Sequence, residues 1–327
     1  MAFTFRPAAR ENVGLLIGLS GSSGSGKTYT AMRLAKGIAG DRAFAVIDTE
    51  AGRAKHYADQ FKFDHGDLTP PFRPDTYAEA IAAADKAKYP VIVVDSMSHE
   101  WAGDGGILDW QDDEVTRMAK DDVARREAVK MAAWIKPKMA HKQMVQRLLQ
   151  VRAHLILCFR AEAKIEMVKV GGKLEIREKQ SPAGLNGWIP IAEKSLPYEL
   201  TVSFLLMADK PGVPLAIKLQ EQHKALFPLD KPITEESGAR LAAWAKGGAA
   251  SANSTASENS TADVADRAHD WLVAISDAST KADLVNVGKQ LRAAKLPDAT
   301  LATLRAAYDA RLKTIGVPRV ETQNAAR

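Results

Sequence analysis

The sequence predicts an α/β fold, a parallel sheet covered by helices on both faces. Three observations carry this. Short, nearly continuous apolar runs alternate with amphipathic stretches; a glycine-rich segment separates the first run from the first stretch; and a later run, "VIVVD", ends abruptly in an acid. Strands buried on both faces are apolar throughout rather than alternating, as in sheets built from βαβ units.

The elements follow in order. "VGLLIGLS", "AFAVID", "VIVVD" and "HLILCF" read as strands, and "TYTAMRLAKGIAG", "TYAEAIAAADKAK" and "KMAHKQMVQRLLQVR" as the helices between them. Beyond Cys158 the pattern changes to paired strands. "KIEMVKV" and "KLEIREK" flank a Gly-Gly pair, and "ELTVSFLLMAD" and "VPLAIKLQ" flank a Pro-Gly turn, so an antiparallel extension of the sheet is expected. If Gly171 and Gly172 form a two-residue turn, Met167 faces Ile176 and Glu166 faces Arg177.

A Gly/Ala/Ser/Thr/Asn-rich stretch has nothing to bury and marks a linker at 247–262. It divides a large domain (1–246) from a small three-helix module (263–316) and a disordered tail (317–327). In the module Thr280 and Asp283 have capping-box spacing, and Pro297 with Asp298 opens the last helix.

Composition excludes several classes. The 327 residues carry a single cysteine, Cys158, so an intramolecular disulfide is excluded and a thiolate metal site disfavoured; a reducing cytoplasm is expected, the host's if the protein is phage-encoded. No apolar run reaches the roughly 20 residues that span a bilayer, so membrane insertion is not expected. A net charge of +5 permits nucleic-acid binding without arguing for it.

The segment "GSSGSGKT" has Gly-x-x-x-x-Gly-Lys-Thr spacing, with Gly21, Gly26, Lys27 and Thr28 at the defined places. Leaving a buried strand and entering a helix, such a loop turns successive N–H groups and a helix N-terminus on one anion. Gly21, Ser22, Ser23, Gly24, Ser25, Gly26, Lys27, Thr28 and Tyr29 are therefore the candidate nucleotide-binding residues. Lys27 would neutralise β- and γ-phosphate oxygens, and the Thr28 hydroxyl would ligate Mg²⁺. Asp95, at the end of "VIVVD", is the candidate second metal carboxylate. For orienting the attacking water, Asp48 and Glu50 follow one strand, and His99 and Glu100 follow Asp95; Glu50 is preferred. Arg160 ends "LILCFR" on the same sheet edge, where ligands of parallel sheets collect; it is either a γ-phosphate sensor or a salt-bridge partner.

These residues, in this order, resemble the RecA-like P-loop ATPases, and more closely a phage-encoded AAA-type group that includes ATP-binding single-strand annealing proteins. The resemblance rests on "GLSGSSGSGKTYTAMRLAKG", "VIDTEAG", "VIVVDSMSHEW" and "HLILCFRAE", and covers approximately residues 3–246. It implies a RecA-like core using ATP and Mg²⁺, with Glu50 activating water and Arg160 sensing γ-phosphate, although that sensor is often an amide. It also implies action on single-stranded DNA, by annealing or strand exchange, in homo-oligomers with ATP between protomers. Lys169 and Lys173, at the hairpin tip, become candidates for DNA or for the neighbouring protomer's ATP, against a plain solvated hairpin. The helical module resembles helical tails attached to several phage recombination proteins, and recruiting a partner such as a single-strand binding protein is the role expected of it.

The charge-rich insert 103–127 is expected to be helical, and His141 to be structural. Two other classes stay open. A small-molecule or nucleoside kinase would use the same loop, but no Arg-rich lid is evident; a DNA-binding module could hold ATP as a structural ligand without turnover.

Overall fold

The computed structural model describes residues 14–247 and 271–314, apart from 121, 172, 182, 279 and 294–297. The chain divides into two compact units, Met1–Gly248 and Ala249–Arg327. The expected linker beyond residue 247, the start of the helical module and the expected tail lie outside the described residues.

The described residues of the first unit form ten strands. Seven follow one path in the order β10-β9-β1-β5-β4-β2-β3, comprising β1 (Leu16–Gly21), β2 (Phe44–Asp48), β3 (Phe63–Asp67), β4 (Val91–Asp95), β5 (His154–Ala163), β9 (Val202–Leu206) and β10 (Pro214–Lys218). Six of the seven run parallel; β10 is antiparallel to β9, and β8 (Trp188–Pro190) is antiparallel to the end of β5. β6 (Ile165–Val170) and β7 (Lys173–Glu178) form a separate two-stranded sheet.

The apolar strands feed both faces, because alternate side chains point to opposite sides. Ile17, Leu19, Val46, Val93 and Ile156 pack beneath α1 (Lys27–Ala39), against Met32, Leu34 and Ile38. Leu16, Ile47, Ile92, Val94 and Leu155 face α2 (Pro74–Lys86) and α6 (Ile135–Leu148), against Tyr77, Ile81, Met144 and Leu148. Between β4 and α6 lie α3 (Ser98–Ala102), α4 (Ile107–Ala119) and α5 (Val123–Val129), the last capped by Asp122, which accepts from the N–H groups of Ala124 and Arg125. The charge-rich insert is thus helical, as its sequence suggested.

Two short helices, α7 (Leu196–Glu199) and α8 (Glu221–Lys224), precede α9 (Glu235–Ala245). α9 lies against α1 at backbone distance. A Cβ on Gly37 would fall 1.9 Å from the Glu235 carbonyl oxygen, and one on Gly238 2.3 Å from that of Leu34. Arg33 and Glu235 close the same crossing with a 2.7 Å ion pair.

The structure revises part of the expected antiparallel extension. "TVSFLL" pairs in parallel with β1, Ile17 opposite Val202, and is an internal strand, one in from the edge; only β10 and the short β8 are antiparallel additions to the main sheet. The Gly-Gly hairpin has the expected register, Met167 opposite Ile176 and Glu166 opposite Arg177, but it stands outside the main sheet.

In the second unit the described helices are α10 (271–277), α11 (Lys281–Ala293) and α12 (Asp298–Thr314). Ile275, Ala278, Leu284, Leu291 and Leu304 form its core. Its capping box is made: the Thr280 N–H donates to the Asp283 carboxylate (3.0 Å), and the Asp283 N–H to Thr280 Oγ1 (3.2 Å). No described helix is long and apolar enough to cross a membrane.

Candidate nucleotide site

The loop from Gly21 to Gly26 turns β1 into α1. Gly24 and Gly26 have φ of 77° and 80°, left-handed values that a side chain rarely tolerates. At Gly21 space is the constraint, since a Cβ would lie 2.4 Å from the Leu206 carbonyl oxygen. Ser25 is buried and donates its hydroxyl to the Ser22 carbonyl (2.8 Å), and the Gly212 N–H donates to the Ser25 carbonyl (3.1 Å).

Above the loop opens a cavity of about 610 Å³. Of the nine loop residues named from the sequence, Ser22 and Ser25 do not line it; the other seven do. Lys27 Nζ donates to the Ser22 carbonyl (2.7 Å), and burial holds its pKa below the usual lysine value. The ammonium is therefore partly desolvated, which strengthens its pull on an anion.

Thr28 and Asp95 meet. The Thr28 hydroxyl donates to Asp95 Oδ2 at 2.5 Å, joining the start of α1 to the end of β4. Burial pushes the Asp95 carboxyl up to about 6, with the Thr28 hydrogen bond acting the other way. Among the described residues no group of three or more His, Cys, Asp or Glu could hold a metal unaided. A hydroxyl beside one carboxylate suits Mg²⁺, which keeps most of its water and takes further ligands from phosphate. Non-clashing glycines, a cavity-facing lysine and this oxygen pair together fit Mg²⁺-ATP.

The strand after α1 contributes two acids with different surroundings. Asp48 is buried and accepts from the N–H groups of Glu50 (2.6 Å) and Ala54 (2.9 Å), so it shapes the turn. Glu50 lines the cavity. Its Oε1 accepts from Arg160 Nε (3.1 Å) and Nη2 (2.8 Å), and its Oε2 from Arg53 Nη1 (2.8 Å). Burial raises the Glu50 carboxyl, but hydrogen bonds and charge from Arg160, then Arg53, bring it below the ordinary value. Thr49 joins the ends of β2 and β4, its N–H donating to the Asp95 carbonyl (2.9 Å) and its Oγ1 accepting from the Ser96 N–H (2.7 Å). The peptide between Asp95 and Ser96 is cis.

The other acids and bases considered from sequence do not line the cavity. His99 stacks on Phe72 and lies 2.7 Å from Thr49 Oγ1; Glu100 is buried, with Oε1 2.8 Å from His141 Nδ1. His141 is buried in that pair, a placement compatible with a structural part.

Arg53 and Tyr57 also line the cavity, and neither was singled out from sequence. Tyr57 lies 5.7 Å, ring to ring, from Tyr29, which is 40% exposed. The pair offers an aromatic wall to a base. The available signal was an aromatic a short way past Glu50, meaningful only once the loop's path is known.

Lys169 and Lys173 lie on the β6–β7 hairpin and do not line the cavity. A single residue, Lys164, separates the hairpin from the end of β5, the strand that carries Arg160. Ile165, Met167, Leu174 and Ile176 share one of its faces and are 68–73% exposed, an apolar stripe that the alternating Lys and Glu residues concealed.

No curated protein matches the chain at the significance required. A family model described as AAA domain matches residues 14–189, which include the phosphate loop, Glu50, Asp95, Arg160 and the hairpin; over half of the chain is covered, and the chain belongs to the AAA domain family.

Proposed function

We propose that this protein is a Mg²⁺-dependent ATPase of DNA recombination, acting on single-stranded DNA as a homo-oligomer. The observation that carries the ATPase reading is the convergence on one cavity of Lys27, the Thr28–Asp95 pair and the Glu50–Arg160 pair, from the start of α1, the ends of β2 and β4, and the C-terminal half of β5.

The roles follow from placement. Main-chain N–H groups of the loop and the Lys27 ammonium hold the phosphates, while Thr28 and Asp95 hold the metal through hydroxyl and carboxylate. Bound Mg²⁺ supplies charge neutralisation at the phosphates. Glu50 orients and deprotonates water, and Arg160 responds to the charge of the terminal phosphate. Tyr29 and Tyr57 hold the base. Arg160 stands on the strand that continues into the hairpin, so the state of the cavity has a covalent route to Lys169 and Lys173. Copies associate through the hairpin's apolar face, and the C-terminal helices recruit a single-strand binding protein.

The test is ATP turnover without nucleic acid, with single strands and with duplex, across a salt series, using Lys27→Ala as the inactive control. Salt-sensitive stimulation by single strands supports the recombination reading. Acceptor-dependent ADP release indifferent to DNA would replace it with a kinase. Nucleotide binding without turnover under any condition would leave ATP as a structural ligand.

A further inference from the structure

At the opposite edge of the sheet lies a second cleft, of about 790 Å³, that the nucleotide chemistry does not use. The cavity described above is built on the C-terminal ends of β1, β2, β4 and β5. This cleft is built where β4 and β5 begin, at Pro90, Ala153 and His154, and where α1, α2 and α9 end. A strand of five residues separates the two edges by about 16 Å.

The cleft is strongly cationic. Arg42, Lys86, Lys88, Arg152 and Lys246 line it, all exposed, against one carboxylate, Asp85. That carboxylate is engaged, accepting from the N–H groups of Arg152 (3.2 Å) and Ala153 (3.1 Å). Among the described residues none of the five cations forms a salt bridge; Arg42 donates to the Lys88 carbonyl, which leaves its charge uncompensated.

A simpler account is that these cations answer the helix C-termini beside them. Magnitudes decide against that as the whole explanation. Each C-terminus carries roughly half a negative charge, so three amount to about one and a half. With Asp85, and with Asp64, which accepts from the Tyr89 hydroxyl at the wall (2.6 Å), they offset about three and a half of the five positive charges, and a surplus of one to two remains. His154 is held neutral, because burial pushes its pKa down to about 4, so the surplus belongs to the arginines and lysines.

The shape of the field selects the ligand. Among the described residues, none that lines the cleft stands at a helix N-terminus, so a compact anion seated on its floor would meet helix C-termini, the wrong end of each dipole. The positive heads stand at the exposed rim on flexible stems, an arrangement suited to a chain of spaced phosphates that bridges the cleft. Tyr89 lines the wall half-buried, its ring packed against the core and its hydroxyl donating to Asp64 Oδ2 (2.6 Å).

We infer that this cleft binds the phosphodiester backbone of single-stranded nucleic acid, at a site separate from both the ATP cavity and the hairpin lysines. The inference rests on the single-strand reading above and adds a location to it.

The test uses the full chain and a fluorescein-labelled oligothymidylate of about 20 nucleotides, followed by anisotropy across a salt series. The triple variant Lys88→Ala/Arg152→Ala/Lys246→Ala is expected to bind at least tenfold more weakly than wild type at fixed salt. Its log Kd against log salt plot should be shallower by about two, since each phosphate contact on a single strand contributes roughly 0.7. Binding of a fluorescent ATP analogue should be unchanged, which verifies folding. Lys169→Ala/Lys173→Ala is the comparison. If wild type binds the oligonucleotide and the triple variant matches it in affinity and slope, the cleft assignment is wrong while the recombination reading stands. If wild type binds no single strand at any salt, both fail. Tighter binding of a duplex through the same three residues overturns the single-strand assignment.

Discussion

Arg160 places two guanidinium nitrogens on one carboxylate oxygen of Glu50, at 3.1 and 2.8 Å, across a span of 110 residues. The same two side chains line the cavity where a terminal phosphate would compete for the guanidinium. With Arg160 on Glu50, the acid is a weaker base; drawn toward phosphate, Arg160 leaves Glu50 freer to take a proton. In the proposed mechanism, turnover is thereby coupled to occupancy.

Glu50→Gln keeps the size of the side chain and removes the proposed base. ATP hydrolysis is expected to fall by about a hundredfold or more, with nucleotide affinity within a few-fold of wild type. Paired turnover and equilibrium-binding assays check this; substantial residual hydrolysis would assign the base elsewhere.

Arg160→Ala should move the acid limb of the pH–rate profile. In wild type, burial raises Glu50 but Arg160 and Arg53 together leave it lowered. Without Arg160 the effect of burial meets less opposition, the pKa rises, and the ionised base is lost at a higher pH as the solution is acidified. The limb of kcat/KM therefore shifts upward in pH, and a static limb would show that another group controls it.

Gly238→Ala tests the α1–α9 crossing. The added methyl would sit 2.3 Å from the Leu34 carbonyl oxygen, so the helices must separate, and a loss of about 1–3 kcal/mol is expected in urea unfolding. At Gly40, where a Cβ meets nothing within 4 Å but φ is 64°, the cost should be smaller and come from the backbone alone.

Introducing charge at Met167 and Ile176, both to Asp, should lower the mass of any assembly seen by light scattering, because both lie on the exposed apolar face of the hairpin. Monomer ATP affinity should not change. An unaltered assembly would put the contact between copies on another surface.

Acid stability should depend on His154. Its Nδ1 accepts the Leu15 N–H at 3.3 Å, and burial lowers its pKa to about 4. Between that value and the ordinary 6.5 the unfolded chain binds a proton that the folded one does not, so stability falls as pH drops through this window. The loss is at most about 3 kcal/mol, and His154→Gln should flatten it when unfolding midpoints are compared across that range.

The legible elements were those whose signals are local. The glycines, Lys27 and Thr28 announce the loop by spacing, and "VIVVD" announces β4 because both of its faces are buried. β3 was not anticipated: at the sheet edge its five residues are half-buried or exposed, and "FDHGD" is neither apolar nor cleanly alternating. The role of "TVSFLL" as a parallel strand was hidden because its partner, β1, lies about 185 residues earlier, and no local feature encodes a pairing over that distance. α9 was overlooked for a related reason: its small residues Ser237 and Gly238 weaken a helical pattern until their fit against α1 is seen. In the cavity, Arg53 and Tyr57 were invisible for want of a loop path, whereas Glu50 stood out by its distance from Asp48.

β9 has a consequence for how this protein can be cut. The stretch matched by the family model stops at residue 189, before β9, Gly212 and α9. A fragment ending there would leave β1 as a bare border, with unpaired amides beside Ile17 and Leu19, and would strip the loop of the Gly212 support. Such a piece would stick to other strands before it met nucleotide, so the smallest autonomous folding part must extend through the helix that ends at Ala245.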